Sequence, residues 1–274
     1  MAQPGKARRP DTGSFLGIVV AFLGIIGGFI YEGGHPFKDM VGPSAALIVL
    51  GGTLGATLLS HPPSAVKSAM RRLKDIFFEE SQDLQGTIDA VVNFATHARK
   101  NGLVSLDAEV EAIGDPYLRK ALMLAVDGAD IQEIRTMMEL ESDASEDRWI
   151  RSAKVFESAG GYAPTVGIIG AVLGLILVMN ELDDMKKVGH GIAAAFVATI
   201  YGVGAANILL LPAALKLKSR GEAQHEREHL ILEGICAIVE GMNPKLIRTK
   251  LEGFLDPASL RNRTPAEPPA APRA

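Results

Sequence analysis

The chain has 274 residues and a net charge of −4; 47% of its residues are hydrophobic, only 5% are aromatic, and 29 are glycine. A single cysteine, Cys236, excludes a disulfide-stapled scaffold and reads as a small apolar side chain in "ILEGICAIVE", and the charge balance leaves no basic footprint for nucleic acid. High hydrophobicity joined to this much glycine points instead to membrane helices, where glycine is commoner than in soluble ones.

Taken in order, four runs carry no Asp, Glu, Lys or Arg: 12–31, 41–60, 158–180 and 191–215. Each meets the requirement of about 20 apolar residues for a bilayer span. The first is longer than a signal-peptide core and is followed by no small-residue cleavage site, so it reads as a retained span. Lys6, Arg8 and Arg9 precede the first span, and Lys67, Arg71, Arg72 and Lys74 follow the second. Arg148, Arg151 and Lys154 precede the third, and Lys216, Lys218 and Arg220 follow the fourth. The positive-inside rule then places both termini and the 61–157 segment in the cytoplasm, with Lys186 and Lys187 as a mild exception.

The expected organisation is a tail over 1–11, spans one and two over 12–60, a helical cytoplasmic loop over 61–157, spans three and four over 158–215, cytoplasmic helices over 216–256 and a disordered tail over 257–274. The fold class is all-α, a polytopic membrane protein with four transmembrane helices and a large helical loop. Within the loop, Leu84, Ile88, Val91 and Ala95 recur at helical spacing until Asn101-Gly102. A short helix follows from Ser105 to the "GDP" at 114–116, another runs 117–128, and Asp130 with Glu133 caps a third over 131–139. A separate charged helix from Ser145 leads into the third span, and one over 220–241 follows the fourth. The proline- and alanine-rich stretch after Asp256 has the composition of a disordered tail.

The candidate sites follow the same order. Gly24 with Gly28, Gly51 with Gly55, and Gly170 with Gly174 each put two small residues on one helix face, suited to close packing within the chain or with a neighbouring helix. Gly202 lies on the face of Thr199 in "AAAFVATIYGVGAAN"; Thr199 either bonds back to the carbonyl four residues earlier or presents its hydroxyl to a polar pathway. Pro164 and Pro212 each remove a backbone hydrogen bond near the ends of spans three and four. "HEREH" at 225–229 has the spacing of a zinc peptidase helix, but its charged middle suits a solvated helix and no third ligand is supplied, so no metal, cofactor or enzymatic activity is expected. Charged residues within spans cost roughly 2.5–3.5 kcal/mol each and mark ion pathways. None is present here, so an ion-conducting role needs a carboxylate from another subunit.

"GGTLGATLLSHP", "ARKNGLVSLDAEVEAI", "AKVFESAGGYAPTVGIIGAVLGLI" and "AAFVATIYGVGAANILLLP" together resemble the MotA/PomA family of flagellar stator subunits, most of all its shorter PomA- or MotC-like branch, over about residues 14–255. The resemblance implies an inner-membrane homo-oligomer, thought to be a pentamer. It would surround a MotB/PomB-type partner that brings one span, the ion-binding aspartate and a peptidoglycan-binding domain. It implies a cation channel, for protons or sodium, that drives the rotor protein FliG. Thr199 matches the threonine beside the ion path, and Pro164 and Pro212 match the two coupling prolines. Arg99 and Asp107 match the charged pair facing the rotor, with Asp107 replacing the commoner glutamate; Lys100 and Glu109 extend the two signs. "MNELDDMKK" resembles the loop of sodium-type members, with Met185 where proline is common. The rival within the superfamily is an ExbB/TolQ-type subunit energising outer-membrane transport, whose members have three spans.

Overall fold

The computed structural model describes residues 8–80, 83–180 and 182–255, so most of the N-terminal tail and the stretch over 257–274 expected to be disordered lie outside the described residues. A short strand β1 (Arg8–Pro10) leads into α1 (Thr12–Tyr31). Then come α2 (Pro36–Asp39), α3 (Pro43–Ser60), α4 (Pro63–Phe77) and β2 (Phe78–Glu80), which pairs antiparallel with β1. Next are α5 (Leu84–Asn101), a 3₁₀ turn (Leu103–Leu106), α6 (Asp107–Val110) and α7 (Pro116–Val126). The chain continues with α8 (Ile131–Met179), α9 (Met185–Gly204), a π-helical turn (Ala205–Leu210), α10 (Leu211–Val239) and α11 (Pro244–Leu251). The class is all-α, with the small β1–β2 ribbon as an addition.

Helix starts follow local chemistry. Asp11, Asp83, Asp115, Asp184 and Asn243 each accept a backbone N–H in the first turn of the helix they precede, satisfying donors that have no partner inside the helix. Pro43, Pro63, Pro116 and Pro244 occupy the opening turn of their helices, where a missing N–H is harmless.

Two expected boundaries are absent. The helix over 131–139, the charged helix from Ser145 and the third span form the single 49-residue α8. Between residues 139 and 145 there is no glycine or proline, and Ser142 and Ser145 are buried rather than ending the helix. The Ser142 hydroxyl donates to Glu228 at 2.7 Å, and the Gln224 amide donates to Ser145 at 3.2 Å. Likewise the 220–241 helix is not separate: α10 starts at Leu211 and runs on through it.

The described chain divides into two compact units. The first takes Arg8–Ser81 and Glu146–Glu222 and holds the candidate spans. In it α3 packs along α9 through Ala45, Val49, Val197, Ala198 and Tyr201. A second cluster gathers Ala69 and Ile76 of α4, Val155 and Phe156 of α8, and Ala213 and Leu217 of α10. Asp11 is its polar anchor, paired with Lys216 at 2.5 Å and Arg220 at 2.7 Å.

The second unit takes Gln82–Ser145 and the chain from Ala223 onward. Its core joins Ile88 and Val91 of α5, Leu106, Val110, Leu118 and Leu122, Ile134 and Met138, and Leu230, Ile231 and Ile235 of α10. Glu233 ties three helices together, bonding Arg135 and Lys250 at 2.6 Å each. Burial would raise its carboxyl, but the two cations outweigh burial and hold it below the ordinary value.

Candidate functional site

In the membrane-spanning unit, α8 and α9 meet along a seam of small residues. A Cβ built on Gly202 would run into the Ala163 carbonyl and stand 3.0 Å from the Gly167 Cα. One on Gly170 would stand 3.0 Å from the Ala198 Cβ, and one on Gly174 would stand 3.3 Å from the Ala195 Cβ. Without a hydrophobic drive between helices in lipid, such backbone approach is what van der Waals packing uses. Gly51 and Gly55 behave differently: both are exposed and a Cβ on either meets nothing within 4 Å, whereas the unflagged Gly52 packs on Val166. Gly24 and Gly28 are equally open, and α1 has no buried residue.

Thr199 sits one residue past Ala198, at the edge of this seam rather than inside it, and is half-buried. Its hydroxyl leans back toward the Ala195 carbonyl at 3.4 Å, a long contact easily exchanged for another acceptor. Tyr201, two positions on, donates to the Met40 carbonyl at 2.6 Å and accepts from the Gly42 N–H at 3.2 Å, fixing α9 against the start of α3. A lone tyrosine in an apolar run usually finds such partners, a signal that could have drawn attention to it.

The two prolines occupy one layer of the same unit. Pro164 lies inside α8 and cannot donate to the Gly160 carbonyl. Pro212 is the second residue after the π-helical turn, which widens the helix where the proline ring would otherwise crowd the carbonyl four residues earlier. Between them, Leu211 lies against Gly160, where a Cβ would stand 2.6 Å from Leu211 Cδ2. Sequence reasoning missed Gly160, because its partner is remote in the chain.

The charged residues lie in the other unit. α5 ends at Gly102, whose φ of 84° is one that L side chains rarely adopt. The expected helix from Ser105 is instead a 3₁₀ turn and the single turn of α6, held down by buried Leu106 and Val110. That anchoring leaves Arg99, Lys100 and Asp107 exposed on the two limbs of one bend, with Val104 75% exposed between them. Glu109 is half-buried and pairs with His97, a residue that the sequence pattern did not single out. Arg99, Lys100 and Asp107 make no ion pair among the described residues.

The "HEREH" side chains serve the fold. Buried Glu228 accepts from Ser142 and from Gln224, both at 2.7 Å, while His225 shares the Ser142 hydroxyl at 3.1 Å. Arg227 pairs with Asp115, and the His229 ring lies 5.5 Å from that of Phe254.

Comparison with known proteins aligns with this arrangement. Residues 109–229 match the MotA/TolQ/ExbB proton channel family, and residues 15–102 match the motility protein A N-terminal family. The chain is 35% identical over 246 residues to motility protein A of Bacillus subtilis, covering 89% of this chain and 91% of that protein. It superposes on the structure of C. jejuni MotAB with a TM-score of 0.86 at 34% identity, covering 90% of this chain and 96% of that one. The flagellar MotAB stator complex from Bacillus subtilis gives a TM-score of 0.85 at 36% identity, over 92% and 98% of the two chains.

Proposed function

This chain belongs to the motility protein A branch of the MotA/TolQ/ExbB proton channel family, and from that premise we propose how it turns ion flow into rotation. It is a flagellar motor stator subunit and a multi-pass membrane protein that acts in an oligomer with a MotB-type partner. The finer reading is a pentamer in the bacterial inner membrane, both termini in the cytoplasm, around the single spans of two partner subunits.

The observation that carries this reading is the α8–α9 seam: small residues packed backbone to backbone, a threonine hydroxyl at its edge and no Asp, Glu, Lys or Arg in any of the four runs. A cation entering from the periplasm binds the partner's membrane carboxylate beside Thr199, whose weakly held hydroxyl is free to turn toward it. Neutralising the carboxylate changes how the partner helix packs on α8 and α9. The shift reaches the layer of Pro164, Gly160, Leu211 and Pro212, where two helices already lack regular bonding and bend at least cost. From there it moves the bend bearing Arg99, Lys100, Asp107 and Glu109, which engages charges on FliG. One charge crossing a potential of about 150 mV releases about 3.5 kcal/mol, enough to bias a packed interface between two states but not to break it.

The test is gentle purification from native membranes with mass spectrometry of what accompanies the chain. The reading requires a single-span protein with an aspartate in its span and a peptidoglycan-binding domain. A TonB- or TolR-type companion would move the subunit to transport energisation.

A further inference from the structure

We propose that the junction of α3 and α4, at His61, Pro62 and Pro63, is a further pivot in the layer of Pro164 and Pro212, and that beyond it α4 moves as one block with α8 and α10. This rests on the stator reading above and adds positioning residues to it.

The pivot is set by local sequence. α3 ends at Ser60 and α4 begins at Pro63. A residue that precedes proline is kept out of the helical region. His61 and Pro62 each precede one, and both are extended, with φ and ψ of −128° and 143° for His61 and of −58° and 144° for Pro62. Neither proline has an N–H, so neither can carry helical hydrogen bonds across the junction.

Contacts with α8 fix the level of this break. α3 and α4 both run antiparallel along that helix. A Cβ on Gly170 would stand 3.3 Å from Ile48 Cγ2, and one on Gly52 would stand 2.7 Å from Val166 Cγ1. At the junction the Ser60 and Tyr162 hydroxyls lie 2.7 Å apart, and His61 Nε2 lies 2.9 Å from the Ser158 hydroxyl. Further along, the Ser68 and Ser152 hydroxyls lie 3.4 Å apart and Arg72 covers the Trp149 ring at 3.6 Å. The break therefore faces residues 158–162 of α8, the stretch that holds Gly160 against Leu211 and runs directly into Pro164. α8, the fourth span and the α3–α4 pair are thus interrupted at one level, by Pro164, by the π-helical turn and by two prolines.

On the far side of that level the same elements are knitted together. Ala69 and Ile76 of α4 are buried with Phe156 of α8 and Leu217 of α10. A Cβ on Gly221 of α10 would stand 2.7 Å from the Cβ of Trp149, the residue whose ring Arg72 covers. Close packing resists sliding, whereas bending concentrates where helical bonding is already missing. A straight helix running alongside Pro164 would resist the bend that this proline allows; an α3–α4 break at the same level lets both turn together.

The experiment uses the full chain with its single-span partner in cells that lack their own stators, read as the rotation speed of tethered cells. Changing Pro62 and Pro63 to Ala lets α3 run into α4 as one helix, so rotation should fall at least severalfold while the partner still co-purifies. Changing both to Gly removes the prolines but keeps the break, since two glycines disfavour helix by roughly thirtyfold against two alanines. Rotation should then return toward the parent's speed. Normal rotation of the alanine pair would remove the pivot. Equal loss in both pairs, or loss of the partner, would make the prolines packing residues and overturn it too. A second arm joins Ser68→Cys to Ser152→Cys by oxidation in the cell, followed by reduction; the native thiol, Cys236, is buried. The moving block predicts that this disulfide forms and leaves the speed unchanged. A disulfide that halts rotation until it is reduced would show α4 sliding on α8, and a pair that cannot be oxidised would contradict their contact; either result overturns the proposal. A parent chain that restores no rotation would instead remove the stator reading, and the pivot with it.

Discussion

Asp11 shows how much one side chain can hold at a span mouth. It caps α1 through the Ser14 N–H and is only 7% exposed. Burial would raise its carboxyl, but Lys216, the Ser14 N–H and Arg220 outweigh burial and hold it at about 2. A depressed carboxyl stabilises the fold above its unfolded value near 3.8 and loses that contribution as pH falls toward 2. The shift corresponds to about 2 kcal/mol at neutral pH. Asp11→Asn should therefore lower the melting temperature of the solubilised protein at pH 7, and the gap should narrow below about pH 4; a gap independent of pH would contradict the ion pairs. Arg99 gives the complementary prediction. It is exposed and outside the core, so Arg99→Glu should abolish or strongly reduce swimming while leaving membrane levels unchanged. Normal swimming in a cell with no second stator would remove the rotor-facing role.

At the scale of elements, glycine content alone does not say which glycines pack. Gly51 and Gly55 have the same small-xxx-small spacing as Gly170 and Gly174, yet only the second pair lies against a neighbouring helix within the chain. Gly202→Val should destabilise the subunit by about 1–3 kcal/mol through overpacking on Ala163 and Gly167. Gly55→Val should leave the isolated chain's melting temperature within about one degree, because nothing stands within 4 Å of it. The proline layer predicts a separation of assembly from movement: Pro212→Ala lets the π-helical turn relax toward regular helix. The partner should still co-purify, while rotation falls at least severalfold. Loss of co-purification would make the proline a packing residue instead.

Across the whole molecule, the features set by local chemistry were legible and those set by remote contacts were not. Uncharged runs of span length, Asp and Pro helix starts and the Asn101-Gly102 break all carry their cause within a few residues. The fusion of three expected helices into α8 does not, since Ser142 and Ser145 take their partners from α10, more than 70 residues away. The contact of Leu211 with Gly160 was hidden for the same reason. The absence of Asp, Glu, Lys and Arg from the four runs was legible directly, and the proposed mechanism is built on it: this chain would supply the packed seam and the charged bend, and the partner the membrane carboxylate.

The most direct measurement is the rotation of single tethered cells that lack their own stators, as this chain and its single-span partner are induced together. The account predicts that rotation resumes in discrete, equal increments and stops when the partner's membrane aspartate is replaced by Asn. Complexes that assemble and conduct ions while the cells stay still would contradict it.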